Sequence, residues 1–466
     1  MTGRTTWLAV VILAGAAGVW AQSTATNPAT SPATATAPAT PVSLSPQQVA
    51  LGRKIDGLLP QLAADDFAVR EEASKQLNDL GVAALPILRQ RLTSISDAET
   101  KTRVGSLIEK LEEAAALSPT LVTLELKDAG IHDAVEALAK VVSFPIKAWP
   151  ERGFGGNDNR GVTLQVDKQP FWFVIQKISD QTPIRPMNMG GNRKGLTLQI
   201  NNAFPRRVVF SGAFAVAATS IDRQYRADLN KEPGGDETSK SFAISLATFS
   251  DPRLRVLRQP SRAVLTQAVD EKGNSLIPEG NVTGDLTNEN SWGYCETSFS
   301  VPLRYPEAPG ATLKSLKGEL HAIVQTRTAA VDFADLSAKN VGKKLEGMEV
   351  TFESFTTTNP TSFAVKVKLR PGTMAKAMWQ SIYQNNRQLL TVNLLDAQDK
   401  PVGENGGANG GGWDKEVSYQ YNFNVQDESG GRNKPSFGPP AKLRLEIATR
   451  QKDVTIPFEF KDLPIP

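Results

Sequence analysis

The side chains able to do chemistry are few in this 466-residue chain: two histidines, one cysteine and a handful of oxygen-rich loops. A metal centre or a hydroxyl–imidazole relay needs several such groups converging on one point. His132 falls between Ile131 and Asp133 at a helix start, and His321 lies in a strand-like run; neither has a Ser or Cys partner at a useful spacing. Cys295 has no second cysteine to pair with and no neighbouring histidine to activate it, so it reads as a buried structural thiol. Nucleophile-elbow, zincin and Walker spacings are absent from the sequence. No catalytic, cofactor-binding or metal-ligating residue is therefore assigned, and the chain is read as a non-enzyme without a cofactor.

Three loops carry clustered oxygen ligands: Gly155 to Asn159, Asp228 to Glu237 and Asp427 to Gly431. Calcium accepts such ligands at flexible spacing, but none follows the twelve-residue EF-hand order, and solvated hairpin loops are the favoured reading over calcium. The glycine-rich run Gly403 to Trp413 follows no strand–helix pattern that would cradle phosphate, so a long hairpin tip is expected there. Trp292, Tyr294, Trp379, Tyr383, Trp413, Tyr419 and Tyr421 are of the type that stacks on sugars or anchors protein contacts, with core or rim packing expected for most. Paired carboxylates for glycoside hydrolysis cannot be picked from 49 acidic residues by sequence.

The elements that would position these groups begin with a repeat. Val122-Thr123-Leu124-Glu125-Leu126-Lys127-Asp128-Ala129 is answered by Val162-Thr163-Leu164-Gln165-Val166-Asp167-Lys168-Gln169. Each alternating run precedes a helical one: Ile131, Ala134, Val135 and Leu138, then Phe171, Val174, Ile175 and Ile178. The first pattern fits a half-buried strand and the second one apolar helix face. The segment "VTLELKDAGIHDAVEALAKVVSFPI" with its partner from Gly161 to Ile200 resembles the short N-terminal domain of secretins and TonB-dependent receptors. That resemblance implies strand–helix–strand, strand–helix, then a closing hairpin. Phe144 to Ile146 would be the second strand, and Ile184 to Met187 with Leu196 to Ile200 the hairpin. The insert Gly153 to Gly161 and the prolines 183 and 186 depart from the family, and no β-barrel follows. A docking module is implied, not a channel.

Before it, residues 46–116 read as helices. Asp65-Asp66 caps one, with Phe67, Val69, Ala73, Leu77 and Leu80 as its stripe; Gly81 ends it, and Pro86 opens the next. Ser96 or Asp97 caps a last helix bearing Val104, Leu107, Ile108 and Leu111. The text from Asp65 to Leu92 resembles a HEAT repeat, and Asp97 to Arg103 the start of a second, so the segment should lean on a neighbour.

From Arg206 onward short strands alternate with Gly, Pro, Asn and Asp, which predicts two antiparallel β-sandwiches, 206–336 and 344–466, split near Ser337 to Lys343. The first set runs through 208–210, 214–216, 242–246, 254–257, 263–269, 299–303 and 320–325. The second runs through 348–352, 363–369, 389–394, 419–425, 442–447 and 454–460. A shared phrase, Ala263 to Leu276 against Leu389 to Val402, marks a duplication. The ending Ile456 to Pro466 resembles domains of uncharacterised exported bacterial proteins.

Arg4, the apolar stretch Trp7 to Trp20 and the small residues Val19 and Ala21 predict a signal peptide over 1–21, cut before Gln22. Residues 22–45, almost all Thr, Ala, Pro and Ser, predict a disordered linker. The expected compartment is the periplasm or the exterior, with no integral membrane segment after cleavage. Fifty-two basic against 49 acidic residues leave a net charge of +3, which excludes a general attraction to nucleic acid. The fold expected is a multidomain α+β chain: helical HEAT-like 46–116, the two-repeat module 121–202, then two β-sandwiches. The function expected is a non-catalytic adapter or scaffold with a protein partner in the bacterial cell envelope. The alternative is an envelope protein whose sandwiches bind, or hydrolyse, polysaccharide.

Overall fold

A computed structural model describes residues 46–150, 161–187, 195–200, 202–227, 238–280, 284–289, 295–384, 390–413, 415–424 and 438–466. Residues 1–45, expected as signal and linker, and the loops 155–159, 228–237 and 427–431, lie outside them. The chain divides into a unit 1–51 and a unit 52–466; of the first, the opening of helix α1 (Pro46–Leu58) is described. With about 49% strand and 24% helix, the fold is mixed α+β with a short helical region at its start.

Helices α2 (Phe67–Asp79), α3 (Leu85–Leu92) and α4 (Ala98–Leu117) follow α1. Their starts are chemically marked. The Asp66 carboxylate accepts the Ala68 N–H at 2.8 Å and that of Asp97 accepts the Thr100 N–H at 2.7 Å, satisfying donors that a helix start leaves open. Ile55, Leu62, Ala73, Leu77, Leu88 and Val104 are buried between the helices. Phe67 and Val69 do not join that stripe. Asp66 caps the helix directly before them, which turns both outward, and Phe67 is 64% exposed with the Arg70 guanidinium 5.8 Å over its ring.

The repeat then folds as β1 (Leu121–Ala129), α5 (Ile131–Val141), β2 (Ile146–Trp149), β3 (Val162–Pro170), α6 (Phe171–Ser179), β4 (Ile184–Pro186) and β5 (Leu196–Ile200). Strands β1 and β3 pair antiparallel as one sheet; β2, β5 and β4 form another, β2 parallel and β4 antiparallel to β5. Pro186 is tolerated because β4 is an edge strand that owes its sheet no donor on the outer side. The second strand starts at Ile146, later than expected, because Phe144 is spent on the core, 5.2 Å edge-on to Phe171. The two copies hold each other reciprocally. Thr123 Oγ1 accepts the Lys168 N–H and Thr163 Oγ1 accepts the Asp128 N–H, both at 3.0 Å, at matched positions of the repeat. Asp128 and Lys168 share a left-handed backbone, with φ of 48° and 47°.

The remainder comprises β6 (Arg207–Ser211), β7 (Phe214–Ala227), β8 (Thr238–Ser250), β9 (Val256–Pro260), β10 (Ala263–Asp270), β11 (Thr287–Glu289), β12 (Glu296–Pro302) and β13 (Thr312–Phe333). Then come β14 (Val341–Leu345), β15 (Met348–Asn359), β16 (Ser362–Arg370), α7 (Lys376–Gln384), β17 (Leu390–Leu395), β18 (Glu404–Trp413), β19 (Glu416–Asn424) and β20 (Lys442–Pro464). They build a sheet β12-β8-β7-β6, a sheet β14-β15-β16-β19-β18 and, between these in the packing, β11-β9-β13-β20-β17 with β10 also on β13. One core holds Phe242, Ile244, Leu316, Leu320, Ile456, Phe458 and Phe460; another holds Phe352, Val365, Trp379, Tyr421, Leu443, Leu445 and Phe333.

Two further expectations are corrected, and one unassigned stretch is filled. Lys442 to Ile447 and Val454 to Phe460 are not two strands of one sandwich but a single strand, β20, whose later part closes the core of the earlier set. The run Gly403 to Trp413 is no hairpin tip: Glu404–Trp413 pairs along β19, and a Cβ at Gly410 would collide with the Ser418 carbonyl. Residues 376–384, unassigned by sequence, form α7, which seats Trp379 and Ile382 in the second core.

The module of β1 to β5 is fused to the sheet beside it. Alternate residues of β7 and β8 face opposite ways: Phe214, Val216, Ile244 and Leu246 inward, Ala215, Ala217, Ala247 and Phe249 into the module's core. Small alanines let the module approach, and Phe249 meets Phe204 at 4.6 Å and Trp172 at 5.5 Å. Because Phe249 is fully buried at this junction, Phe249→Ala should lower unfolding free energy by about 3–5 kcal/mol, measured by denaturant titration.

Candidate functional site

The residues singled out by sequence do not converge. His132 Nε2 lies 3.1 Å from the Pro150 carbonyl beside the start of α5. His321 sits on β13 between two carboxylates, Nδ1 3.2 Å from Asp453 and Nε2 3.7 Å from Glu319. Burial pushes the Cys295 thiol up to about 12, with the Glu296 charge adding to it, so it stays protonated and unreactive against the module's core. Trp379, Tyr419 and Tyr421 are buried in the second core, where no sugar can reach them. Trp292 and Tyr294 lie outside the described residues, as do the side chains of Tyr383 and Trp413. Among the described residues no group of three or more His, Cys, Asp or Glu could hold a metal, and no helix is long and apolar enough to cross a membrane.

Buried carboxylates are present, and their acceptor capacity is spent on backbone. Asp270, the last residue of β10, accepts the N–H groups of Lys272, Asn274 and Gly310 at 2.8–2.9 Å, plus the Asn274 amide. Asp396, which follows β17, accepts those of Gln398, Lys400 and Gly438 at 2.8–2.9 Å. The third residue after each aspartate is left-handed, Gly273 at φ 84° and Asp399 at φ 64°. These are the two aspartates of the shared phrase, so the duplication visible in sequence is a duplicated turn. Its signal was the Asp itself, which reads as a solvated hairpin residue until the long-range donors, Gly310 and Gly438, are known. Asp251 serves similarly at the module's base, taking the Thr120 N–H at 2.6 Å and the Arg253 N–H at 3.0 Å.

A further candidate surface is backbone. In the β1–β3 sheet each strand has one neighbour. The outer side of β3 is filled at Thr163, whose N–H donates to Gln181 Oε1 at 2.9 Å and whose carbonyl accepts from Gln181 Nε2 at 3.0 Å. Backbone groups alternate along an antiparallel ladder, so Gln165 has the same orientation as Thr163. Its directly opposed partner Glu125 then turns N–H and C=O to the outer side of β1. Val122, Leu124 and Leu126 point inward, while Thr123, Glu125 and Lys127 are exposed, Lys127 ion-paired to Glu125 at 2.9 Å. Leu121, at the head of the strand, is 54% exposed. Chemically this strip can pair with an added strand.

No protein-family model matches the chain. No curated protein matches it. Among solved structures it is similar to the crystal structure of a conserved domain protein from Bacillus anthracis, at 10% identity and a TM-score of 0.15, covering 60% of this chain and 91% of that one.

Two pH effects follow from the aspartate turns. Burial alone would raise the Asp270 carboxyl, but the Gly310 N–H and the Asn274 and Lys272 donors outweigh it and hold it below the usual range. The Gly438 N–H, against burial and with Lys400 and Gln398, does the same for Asp396. A depressed folded pKa gives stability that is present above the unfolded value, about 3.9, and lost as pH falls through the folded one. The melting temperature should therefore drop steeply below about pH 4. Asp270→Asn and Asp396→Asn should each melt lower at neutral pH and show a shallower acid limb, read by circular dichroism across a pH series.

Proposed function

We propose that this protein is a non-catalytic adapter of the bacterial cell envelope that docks a protein partner by strand addition along the outer edge of β1. The observation that carries this reading is the inequality of two otherwise matched edges. The repeat makes β1 and β3 equivalents, yet among the described residues it is β3 whose outward peptide group is occupied by a side chain, Gln181. Added strands gain affinity from main-chain bonds and specificity from alternate side chains, here Thr123, Glu125 and Lys127.

Several finer features belong to the same proposal. The element order strand–helix–strand, strand–helix, hairpin supports a module similar to the short N-terminal domain of secretins and TonB-dependent receptors. Helices α2 to α4 are read as a HEAT-like segment, and the two later cores as two β-sandwiches. Residues 1–21 are read as an export signal and 22–45 as a linker, which gives a periplasmic or extracellular address. The polysaccharide reading loses ground, because three of its aromatic candidates are used inside the second core.

Deleting the module is a poor test, since it would bare Ala215, Ala217, Ala247 and Phe249. Glu125→Pro removes one outward donor and leaves the inward-facing leucines in place. With full-length protein as bait in an envelope extract, a stoichiometric partner should copurify with wild type and be lost with Glu125→Pro. Retention of that partner by a Glu125→Pro protein of unchanged melting temperature would remove the edge-docking claim.

A further inference from the structure

The middle sheet carries a symmetry that the local strand pattern conceals. Strand β13 pairs with β20 antiparallel from Thr312↔Pro464 to Phe333↔Leu443. Within this ribbon Leu316 faces Phe460 while Leu443 faces Phe333. These are one contact seen twice, since Leu443 follows Leu316 by 127 positions and Phe460 follows Phe333 by the same 127 (443 − 316 and 460 − 333). The charges repeat the relation: Lys317 pairs with Glu459 at 3.4 Å, and its counterpart Arg444 with Asp332 at 2.7 Å. So do the outer neighbours, β10 on the early part of β13 and β17 on the early part of β20. The sequence agrees, Phe333-Ala334-Asp335-Leu336 matching Phe460-Lys461-Asp462-Leu463.

The two halves of each long strand serve different cores. Leu313, Leu316, Leu320, Ala322 and Val324 lie in the first core, whereas Phe333 lies in the second with Ala329 and Val331 packed against it. Strand β20 mirrors this: Leu443, Leu445 and Ile447 lie in the second core, Ile456, Phe458, Phe460 and Leu463 in the first. The inward positions change from even numbers over 316–324 to odd over 329–333 along β13, and from odd over 443–447 to even over 456–460 along β20. Register shifts at Gln325 to Thr328, opposite 448–451, mark the change. An extra residue in a strand shifts its alternation by one, and that is what such a crossing needs.

We propose that residues 206–466 are two copies of one β unit that have exchanged their final half-strands, each copy's last apolar residues completing the other's core. Neither core closes until both halves are present. Residues 206–330 lack Phe458 and Phe460, and residues 341–451 lack Phe333 and Val331. The β region therefore acts as a completeness check, with its first copy held open until 456–463 arrive. This inference does not depend on the docking proposal, because it concerns none of the module's surface.

The test uses the full chain with a specific protease site inserted between Ala338 and Lys339, in the connection from β13 to β14. After cleavage of the folded protein the two fragments should co-elute in native gel filtration and part only in denaturant. Fragments that separate in native buffer would overturn the exchange. Hydrogen exchange on the intact chain gives an independent readout. Phe458→Ala should raise exchange at 214–217, 242–246 and 263–268 at least tenfold more than at 350–352 and 417–423, and Phe333→Ala should do the reverse. Equal or opposite responses would overturn it as well.

Discussion

The antiparallel pairing of β13 with β20 is the constraint on which the rest of the β region depends. Strands of this length span roughly 70 Å at about 3.3 Å per residue. Their register must be right at both ends at once, because a slip of one position would turn every inward leucine and phenylalanine outward. Two ion pairs hold the ends, Lys317 with Glu459 and Arg444 with Asp332, the latter made by two parallel bonds of 2.7 Å. At the crossing, where alternation breaks, the helical region leans in. Glu109 of α4 reaches Arg450 at 2.9 Å and Arg327 at 3.9 Å, and Glu113 pairs with Lys452. The point where the ladder is least regular is thus the point that α4 braces.

That bracing has a consequence for the module of β1 to β5. The module shares a core with β7 and β8, and the Arg185–Glu296 ion pair and the Asp251 hydrogen bonds to Thr120 fasten it at two further places. Strands β7 and β8 are buried on both faces along Phe214 to Ala217 and Leu246 to Phe249, which is why those stretches read as continuous apolar runs. Strand β1 is accordingly joined to the β region through a shared core and by polar contacts.

Much of this was legible where structure is local. The repeat at 122 and 162 announced two strand–helix units because alternation and helical spacing are short-range signals, and the caps at Asp66 and Asp97 were readable for the same reason. Half-buried strands such as β15 and β16 showed themselves by strict alternation. Strand β18 did not, since glycine and asparagine disfavour strands and only the closeness of β19 makes glycine fit there. Helix α7 was hidden by its brevity, although Trp379 and Ile382 stand at i, i+3. The crossing of β13 and β20 was out of reach for a different reason. Each half of each strand carries an ordinary alternation, and nothing in Val454 to Phe460 distinguishes a strand serving its own sandwich from one serving its twin. The choice between the edges of β1 and β3 turns on Gln181, a single amide just past the end of α6, and no local pattern announces it.

The buried polar groups bear on function through what they have already been used for. Asp270 and Asp396 each accept three backbone N–H groups, Asp251 takes two more, Glu296 faces Arg185 and Asp332 faces Arg444. A carboxylate so occupied cannot give or take a proton at a substrate without breaking the turn or junction it holds. These groups are therefore tied to architecture, and architecture of this kind is costly to disturb. Main-chain groups along the outer side of β1, by contrast, need no activation, no special pKa and no cavity to form bonds. These carboxylates hold turns and junctions, and in the exchange proposed above the two β copies depend on one another to close their cores.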